Sequence, residues 1–175
     1  MARPSGLLQW QQTVSTYLPH LSQPQLTVLV LWSFGIVLAQ ACGLTTVAVT
    51  LAYVLGCSEM TIREQLRDWY RDARHKSGAK RGRKRRSLEV TLCFAPLLCW
   101  VVAWTDPTCR QLALAMDAST LGQRFTLLSI SVVVRGCAIP VAWRVVEATR
   151  AGAWRAPIGK PSWATYRAVC PPTGP

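Results

Sequence analysis

Two β-rich runs on either side of a tight turn most constrain what this chain can fold into. Residues 125–134 and 138–146 are rich in the β-branched and apolar residues that strands favour. Arg135-Gly136-Cys137 lies between them and predicts a tight turn, and Pro140 stands near the start of the second run, where a strand tolerates proline best. A short apolar run, Leu112–Met116, precedes them and ends on Asp117, which is followed by the polar turn 118–122. The pattern predicts a three-stranded meander with one carboxylate at the end of its first strand.

Asp117 is the only acidic residue between Leu112 and Val146. By itself it fits a turn residue or a cap as well as it fits a catalytic carboxylate. The amino-acid sequence around Asp117, taken as a whole, is more specific than the single residue. Residues 116–146, MDASTLGQRFTLLSISVVVRGCAIPVAWRVV, resemble the opening of the catalytic domain in DDE-type transposases of bacterial insertion sequences. The resemblance extends upstream to about Leu44 and so covers over half of the chain.

This resemblance implies an RNase H-like catalytic domain whose first strand carries the first catalytic aspartate. Asp117 matches that aspartate, and the residues from Arg124 to Trp143 match the two antiparallel strands that follow it. Members of the family cut and rejoin DNA with two Mg²⁺ ions held by three carboxylates. The resemblance therefore makes Asp117 both the candidate catalytic residue and the candidate Mg²⁺ ligand.

The carboxylates that would complete such a site do not follow in this chain. After Asp117 the only acid is Glu147, which stands at the end of the third strand and not where the family's second Asp or final Glu would lie. One carboxylate makes a weak Mg²⁺ site. We therefore expect no stably bound Mg²⁺ and no DNA cleavage by the chain alone. Residues 155–175, with five prolines and no acid, predict an irregular tail, for which loss of the reading frame near Arg155 is the simplest account.

The first 86 residues predict a helical region. A short helix is expected near Leu7–Leu18, and apolar helices are expected across residues 26–56. Val47–Val54 and Glu59–Arg74 have the character of a helix–turn–helix, with Leu55-Gly56-Cys57-Ser58 as the turn. In that turn Gly56 is free to take a left-handed conformation, and Ser58 can cap the second helix.

The second of these helices carries arginines away from its apolar side. A basic face opposite an apolar one suits a helix laid against DNA. The alternative is an ordinary surface helix whose arginines pair with Glu64, Asp68 and Asp72. In the insertion-sequence family the region before the catalytic domain is a helical DNA-binding module, so the resemblance favours DNA contact.

Residues 75–86, HKSGAKRGRKRR, form the strongest charge feature: eight of the twelve are His, Lys or Arg, and none is acidic. Such runs are solvated linkers or arms that contact phosphates. Contacts with several phosphates would make DNA binding salt-sensitive and independent of sequence. The candidate DNA-binding residues are therefore Arg63, Arg67, Arg71, Arg74, Lys76, Lys80, Arg81, Arg83, Lys84, Arg85 and Arg86.

Residues between the basic run and the strands, Ser87–Cys109, predict a helix broken or kinked at Pro96 that packs against the sheet. Trp100 and Trp104 are four residues apart and share one face of it, which predicts that they pack in the core; stacking on bases is the alternative. The seven cysteines include no CxxC pair and lie mostly in apolar surroundings. They predict reduced thiols and no structural metal.

The formal charge of +12 favours an acidic polymer or surface as the partner, either nucleic acid or anionic lipid. No charged residue occurs between Arg3 and Glu59, which raises a membrane interpretation. The uninterrupted apolar runs are nevertheless shorter than the ~20 residues of a spanning helix. We expect a bacterial cytoplasmic, nucleoid-associated protein and not a membrane protein.

Together these observations predict an α+β fold in three parts. Residues 1–86 form a helical, basic DNA-binding region with helix–turn–helix character. Residues 87–154 form an incomplete catalytic domain with the first three antiparallel strands of an RNase H-like α/β sheet, and residues 155–175 form an irregular tail. The predicted function is that of a truncated transposase that binds insertion-sequence ends, with a second copy or an intact transposase as further partners. The alternatives are a small membrane-associated basic protein and a non-catalytic DNA-binding regulator of transposition.

Overall fold

A computed structural model describes residues 4–76, 86–105 and 111–148. The chain divides into two compact units, Met1–Glu89 and Val90–Pro175. Within the described ranges, the first unit holds four α-helices, and the second holds a fifth α-helix and a three-stranded antiparallel sheet. The predicted α+β class is therefore confirmed. The predicted tail, 155–175, lies outside the described residues.

The first unit, called the helical unit below, is built from apolar helices joined by short connections. Ser22 and Gln25 start the second helix with a capping box, in which Gln25 Oε1 accepts a hydrogen bond from the Ser22 backbone N–H at 3.0 Å. Pro24 lies in the first turn of the same helix, where its missing N–H costs nothing. The elements are α1 (Ser5–Tyr17), α2 (Gln23–Ala39), α3 (Leu44–Leu55), α4 (Glu59–Tyr70) and a 3₁₀ turn (Ala73–His75).

The core of the helical unit centres on a close crossing of α2 and α3. Val47 and Leu51 of α3 are fully buried. A Cβ placed on Gly35 of α2 would lie 2.7 Å from Val47 Cγ1 and 2.9 Å from Leu51 Cδ1. The two helices can approach this closely because position 35 has no side chain. Ile62 and Leu66 of α4 are buried in the same unit.

The connection between α3 and α4 has the predicted geometry in part. Gly56 adopts a left-handed conformation (φ 63°) as the C-cap of α3, as expected. Ser58 stands at the N-cap position of α4, but its side chain makes no capping hydrogen bond. The predicted end of α4 at Arg74 is wrong, because the helix ends at Tyr70 and Arg71 is already extended. The Ala73 N–H donates to Ser87 Oγ at 3.0 Å, so beyond Arg71 the backbone bonds to another segment.

Within the described ranges, no single helix is both long enough and apolar enough to cross a membrane. Helices α2 and α3 satisfy the length and composition of a span only as a pair, and the pair is bent by 94° at its break.

The second unit, called the sheet unit below, begins with helices and continues into the meander. The prediction of one helix over Ser87–Cys109 is wrong at its start, because Val90–Cys93 is a 3₁₀ turn and α5 begins only at Phe94. Pro96 lies in the first turn of α5, where backbone N–H groups have no partner within the helix, so it produces no kink. The elements are α5 (Phe94–Ala103), β1 (Leu114–Leu121), β2 (Phe125–Val134) and β3 (Cys137–Glu147).

Strand β1 differs from its prediction. The polar turn expected at 118–122 is instead strand as far as Leu121, and the turn is formed by Gly122, Gln123 and Arg124. Asp117 therefore lies within the strand, opposite Ser129 of β2, and not at its end. An edge strand exposed on both faces needs no alternation of apolar and polar residues, so Ser119 and Thr120 fit it as well as a turn.

Strands β2 and β3 form the predicted hairpin. Arg135 and Gly136 both have positive φ (50° and 78°), as a two-residue turn that matches the twist of the strands requires. Pro140 pairs with Ser131 where the register shifts, and the extra residue of this bulge is Val141. A proline without an N–H is tolerated at a bulge in an edge strand.

Helix α5 and the sheet share a small core. Val101, Val132 and Val141 are buried, with Leu97 and Ile130 packed against them. Trp104 ends up as the C-cap residue and is 69% exposed, so the prediction that it packs in the core is wrong, whereas Trp100 is partly buried. Strand β1 contributes no buried side chain, and Met116 on it is 77% exposed. The sheet thus has an edge and apolar side chains that its own unit leaves uncovered.

The cysteines agree only in part with the prediction of reduced thiols. Cys42, Cys57, Cys93 and Cys137 are free. Cys99, on α5, is disulfide-bonded, so the prediction is wrong for this residue.

Replacing Gly35 with alanine should destabilise the helical unit. The new methyl group would overlap Val47 and Leu51, which are held in a closed core, and overpacking of this kind typically costs about 1–3 kcal/mol. The measurement is chemical denaturation followed by far-UV circular dichroism. Gly6→Ala is the matched control: in α1 the new Cβ would be 3.7 Å from Phe34 Cε2, an ordinary contact, so higher helix propensity should leave stability equal or improved. Equal effects of the two substitutions would contradict the close crossing.

Replacing Met116 with lysine should reduce self-association of the chain without lowering its melting temperature. The substitution puts a charge on an exposed edge strand and removes an apolar side chain that is already in water. Light scattering across a concentration series measures the effect. Thr120→Lys adds the same charge to the same face of β1 but removes no apolar surface. If it reduces association equally, the exposed apolar side chain is not the cause.

Candidate nucleic-acid interface

One side of helix α4 packs against the rest of the helical unit, and its arginines lie away from that side. Ile62 and Leu66 are buried against the rest of the helical unit, and Trp32 of α2 lies beside Tyr70 with ring centroids 6.2 Å apart. The turn at Gly56 fixes where the helix begins. The position and direction of α4 are therefore set largely by the core.

Arg63 is used inside the helical unit. Its Nη2 atom lies 3.0 Å from Glu59 Oε1 and donates a hydrogen bond to Thr45 Oγ1 of α3 at 3.2 Å. Its Nε atom is buried without a hydrogen-bond partner. These contacts link α4 to α3, so Arg63 positions the helix more than it offers charge to a ligand.

Arg67 and Arg71 both lie next to Glu64. Arg71 Nη1 is 2.6 Å from Glu64 Oε1 and 3.7 Å from Asp68 Oδ1, and Arg67 Nη1 is 4.0 Å from Glu64 Oε2. As the C-cap residue, Arg71 also places a cation near the negative end of the helix dipole. Arg71 is thus held by acids of α4, whereas the exposed Arg67, at 4.0 Å, is restrained only weakly.

Arg74 has the most exposed side chain of the four arginines between Glu59 and His75. It lies in the 3₁₀ turn beyond α4, its side chain is 80% exposed, and its Nη2 atom is 4.0 Å from Asp72 Oδ2. His75 Nδ1 is 3.7 Å from the same carboxylate oxygen. Exposed pairs at these distances contribute little to stability, so this carboxylate restrains Arg74 weakly.

All four arginines therefore have a carboxylate within 4.0 Å. From Glu59 to Arg74 the chain carries four arginines and four acids. The arrangement matches the alternative of a surface helix with paired arginines, although the observed spacings are mostly i,i+3 and i,i+7. The Thr45 contact was not predicted, because it depends on how α3 and α4 pack.

The basic run is tied to the helical unit at both ends. Lys76 Nζ donates to the Arg86 backbone carbonyl at 2.7 Å. Ser87, the next residue, accepts from the Ala73 N–H, and its own carbonyl accepts from Gln25 Nε2 at 3.3 Å. Lys76 therefore acts as an anchor at the base of the run. The remaining predicted cations, Lys80, Arg81, Arg83, Lys84 and Arg85, lie outside the described residues.

Asp117, the predicted catalytic residue, is exposed on β1 and accepts a hydrogen bond from Ser119 Oγ at 2.7 Å. Glu147 pairs with Phe125, which in turn pairs with Leu121, so Glu147 is two strands away and four residues further along the sheet. At ~3.3 Å per residue and ~4.8 Å per strand, roughly 16 Å separates the two positions. Two carboxylates at this distance cannot share a Mg²⁺ ion, whose ligands lie at about 2.1 Å.

Within the described ranges, no three His, Cys, Asp or Glu side chains lie close enough together to hold a metal ion. This part of the chain therefore assembles no three-ligand metal site around Asp117.

No family model, no curated protein and no solved structure matches this chain.

Millimolar Mg²⁺ should leave the melting temperature of the chain unchanged, because its described carboxylates offer Asp117 no partner ligand. Isothermal titration calorimetry with MgCl₂ would check the result directly, with Asp117→Asn as the comparison. A saturable heat of binding that disappears in Asp117→Asn would contradict this expectation.

Proposed function

We propose that this chain is a DNA-binding remnant of an insertion-sequence transposase that is inactive in catalysis by itself. The observation that supports the proposal is the placement of Asp117 on the first of three consecutive antiparallel strands, after a basic helical region. The same order of elements is implied by the resemblance of residues 116–146 to the family. On this proposal the partner is duplex DNA at element ends, together with a second copy or an intact transposase.

The helical unit supports the DNA-binding part of the proposal. Helices α3 and α4 are joined by only three residues, with Gly56 in a left-handed conformation. A short turn containing glycine between two packed helices is typical of helix–turn–helix motifs. In such motifs the second helix enters the major groove, which here assigns that role to α4.

General affinity for DNA is assigned to the basic run. Helix α4 and the turn after it are balanced in charge, whereas residues 76–86 contain seven Lys and Arg and no acid. The bonds of Lys76, Ala73 and Gln25 fix the ends of the run against the helical unit. Charge that is not matched by nearby acids can neutralise phosphates and release counterions.

Catalysis by this chain alone is excluded from the proposal. Two-metal cleavage requires carboxylates that converge on the reacting phosphate. Glu147 is the only acid after Asp117 in the sequence, and it lies roughly 16 Å from Asp117 along the sheet. The remnant would therefore act by occupying DNA, which is also what a non-catalytic regulator would do.

The test is the salt dependence of binding to a fluorescent duplex of about 24 base pairs, measured by anisotropy. Each phosphate contact contributes ~0.9 to the slope of log K against log salt concentration. The triple variant Arg83→Gln, Lys84→Gln, Arg85→Gln should therefore lower the slope by up to about 2.7 and weaken binding strongly. Its matched control is Arg124→Gln, Arg135→Gln, Arg144→Gln, which removes the same charge from the sheet unit.

The outcomes separate the parts of the proposal. If both triple variants lower the slope equally, binding follows net charge and not the basic run. If the wild-type chain binds no duplex, the DNA-binding proposal is wrong. If the purified chain cleaves a strand when Mg²⁺ is added, the statement that it is inactive in catalysis is wrong.

A further inference from the structure

Glu64 occupies an unusual position on a helix assigned to DNA contact. It is an acid on the side of α4 opposite the buried Ile62 and Leu66, where a phosphate backbone would approach. We propose that Glu64 is a specificity-determining residue of α4, which weakens binding to arbitrary DNA by holding Arg71. This inference rests on the proposed DNA-binding function and assigns a role within that surface.

The contacts show how strongly Arg71 is held. Glu64 approaches it at 2.6 Å, the shortest of the described ion pairs, and Asp68 contacts the same nitrogen at 3.7 Å. The side chain of Asp68 is only 16% exposed, and that of Arg71 is 33% exposed. The side chain of Glu64 is 39% exposed, so its pair with Arg71 is open to water, whereas the contact with the more enclosed Asp68 is less screened than a surface pair. Arg71 must therefore leave two carboxylates before it can contact a phosphate.

Glu64 also affects DNA binding directly, through its own negative charge. A carboxylate close to DNA is repelled by every phosphate, whatever the sequence. The favourable contact open to it in the major groove is acceptance of a hydrogen bond, and the cytosine amino group is the donor that carboxylates accept there. Glu64 thus penalises most sequences and spares those that present such a donor, which is discrimination by repulsion as well as by attraction.

The substitution Glu64→Gln removes the charge and keeps the shape. It should raise affinity for a 24-base-pair duplex of arbitrary sequence about three- to tenfold at low salt and raise the salt slope by about 0.9, the value of one added phosphate contact. In the wild-type background Arg71→Gln should change affinity less than twofold. In the Glu64→Gln background the same substitution should remove most of the gain.

Glu147→Gln is the control for net charge, because it also removes one exposed acid but lies on β3. Fluorescence anisotropy of the full chain measures all the variants, and far-UV circular dichroism confirms that each has folded. An equal gain from Glu147→Gln and Glu64→Gln would overturn the inference, and so would additive effects of Glu64→Gln and Arg71→Gln. Absence of duplex binding by every protein, wild type included, would instead reject the proposed function on which the inference rests.

Discussion

The helical unit depends on the close approach of α2 and α3 at Gly35. The chain has no charged residue between Arg3 and Glu59, so no ion pair can join α2 to α3, and packing carries their association. Dispersion and burial are strongest where backbones approach closely and side chains interlock. The site where a Cβ would meet Val47 Cγ1 at 2.7 Å provides this contact. Helix α4 packs against the same pair, so its orientation follows from this apolar contact together with the Arg63–Thr45 hydrogen bond.

In the sheet unit the strands pair well with one another, but few of their side chains are covered by other elements. Central strand β2 is buried at Ser131 and Val132, while every residue of β1 except Ala115 is exposed. Both outer strands offer unpaired backbone groups within the described part of the chain, and exposed edges invite pairing with other chains. A sheet of this kind is limited by missing neighbours and not by poor local sequence. The stability of such a sheet depends on what covers it.

Local signals were sufficient where a turn decided the structure. Gly56 predicted the connection between α3 and α4, and Arg135-Gly136 predicted the β2–β3 hairpin. The predictions failed where a distant residue decides. Helix α4 ends before Arg71, in a region where the Ala73 N–H donates to Ser87 Oγ, and no sequence pattern reveals this bond.

The position of Asp117 shows a different limit. Its strand lies at the edge of the sheet and is exposed on both faces, so the alternation that normally marks a strand is absent. Residues 118–120 and 122, which are polar or small, therefore resembled a turn. As a result Asp117 was predicted at the end of the strand, although it lies in the middle. The close crossing at Gly35 was also missed, because nothing in a sequence distinguishes a glycine that permits contact from one that merely interrupts a helix.

The formal charge of +12 does not say which cations of the folded chain are available to a phosphate backbone. Arg63 contacts Glu59 and Thr45, and Arg71 contacts Glu64 and Asp68. Lys76 donates a hydrogen bond to the backbone carbonyl of Arg86. These internal contacts leave the total charge unchanged, and by sequence residues 76–86 carry seven of the twenty Lys and Arg and no acid. On the proposed function, this run supplies attraction to any duplex, and α4, with two arginines and three acids, adds little unless the bases suit it. Affinity and discrimination then belong to different parts of the helical unit.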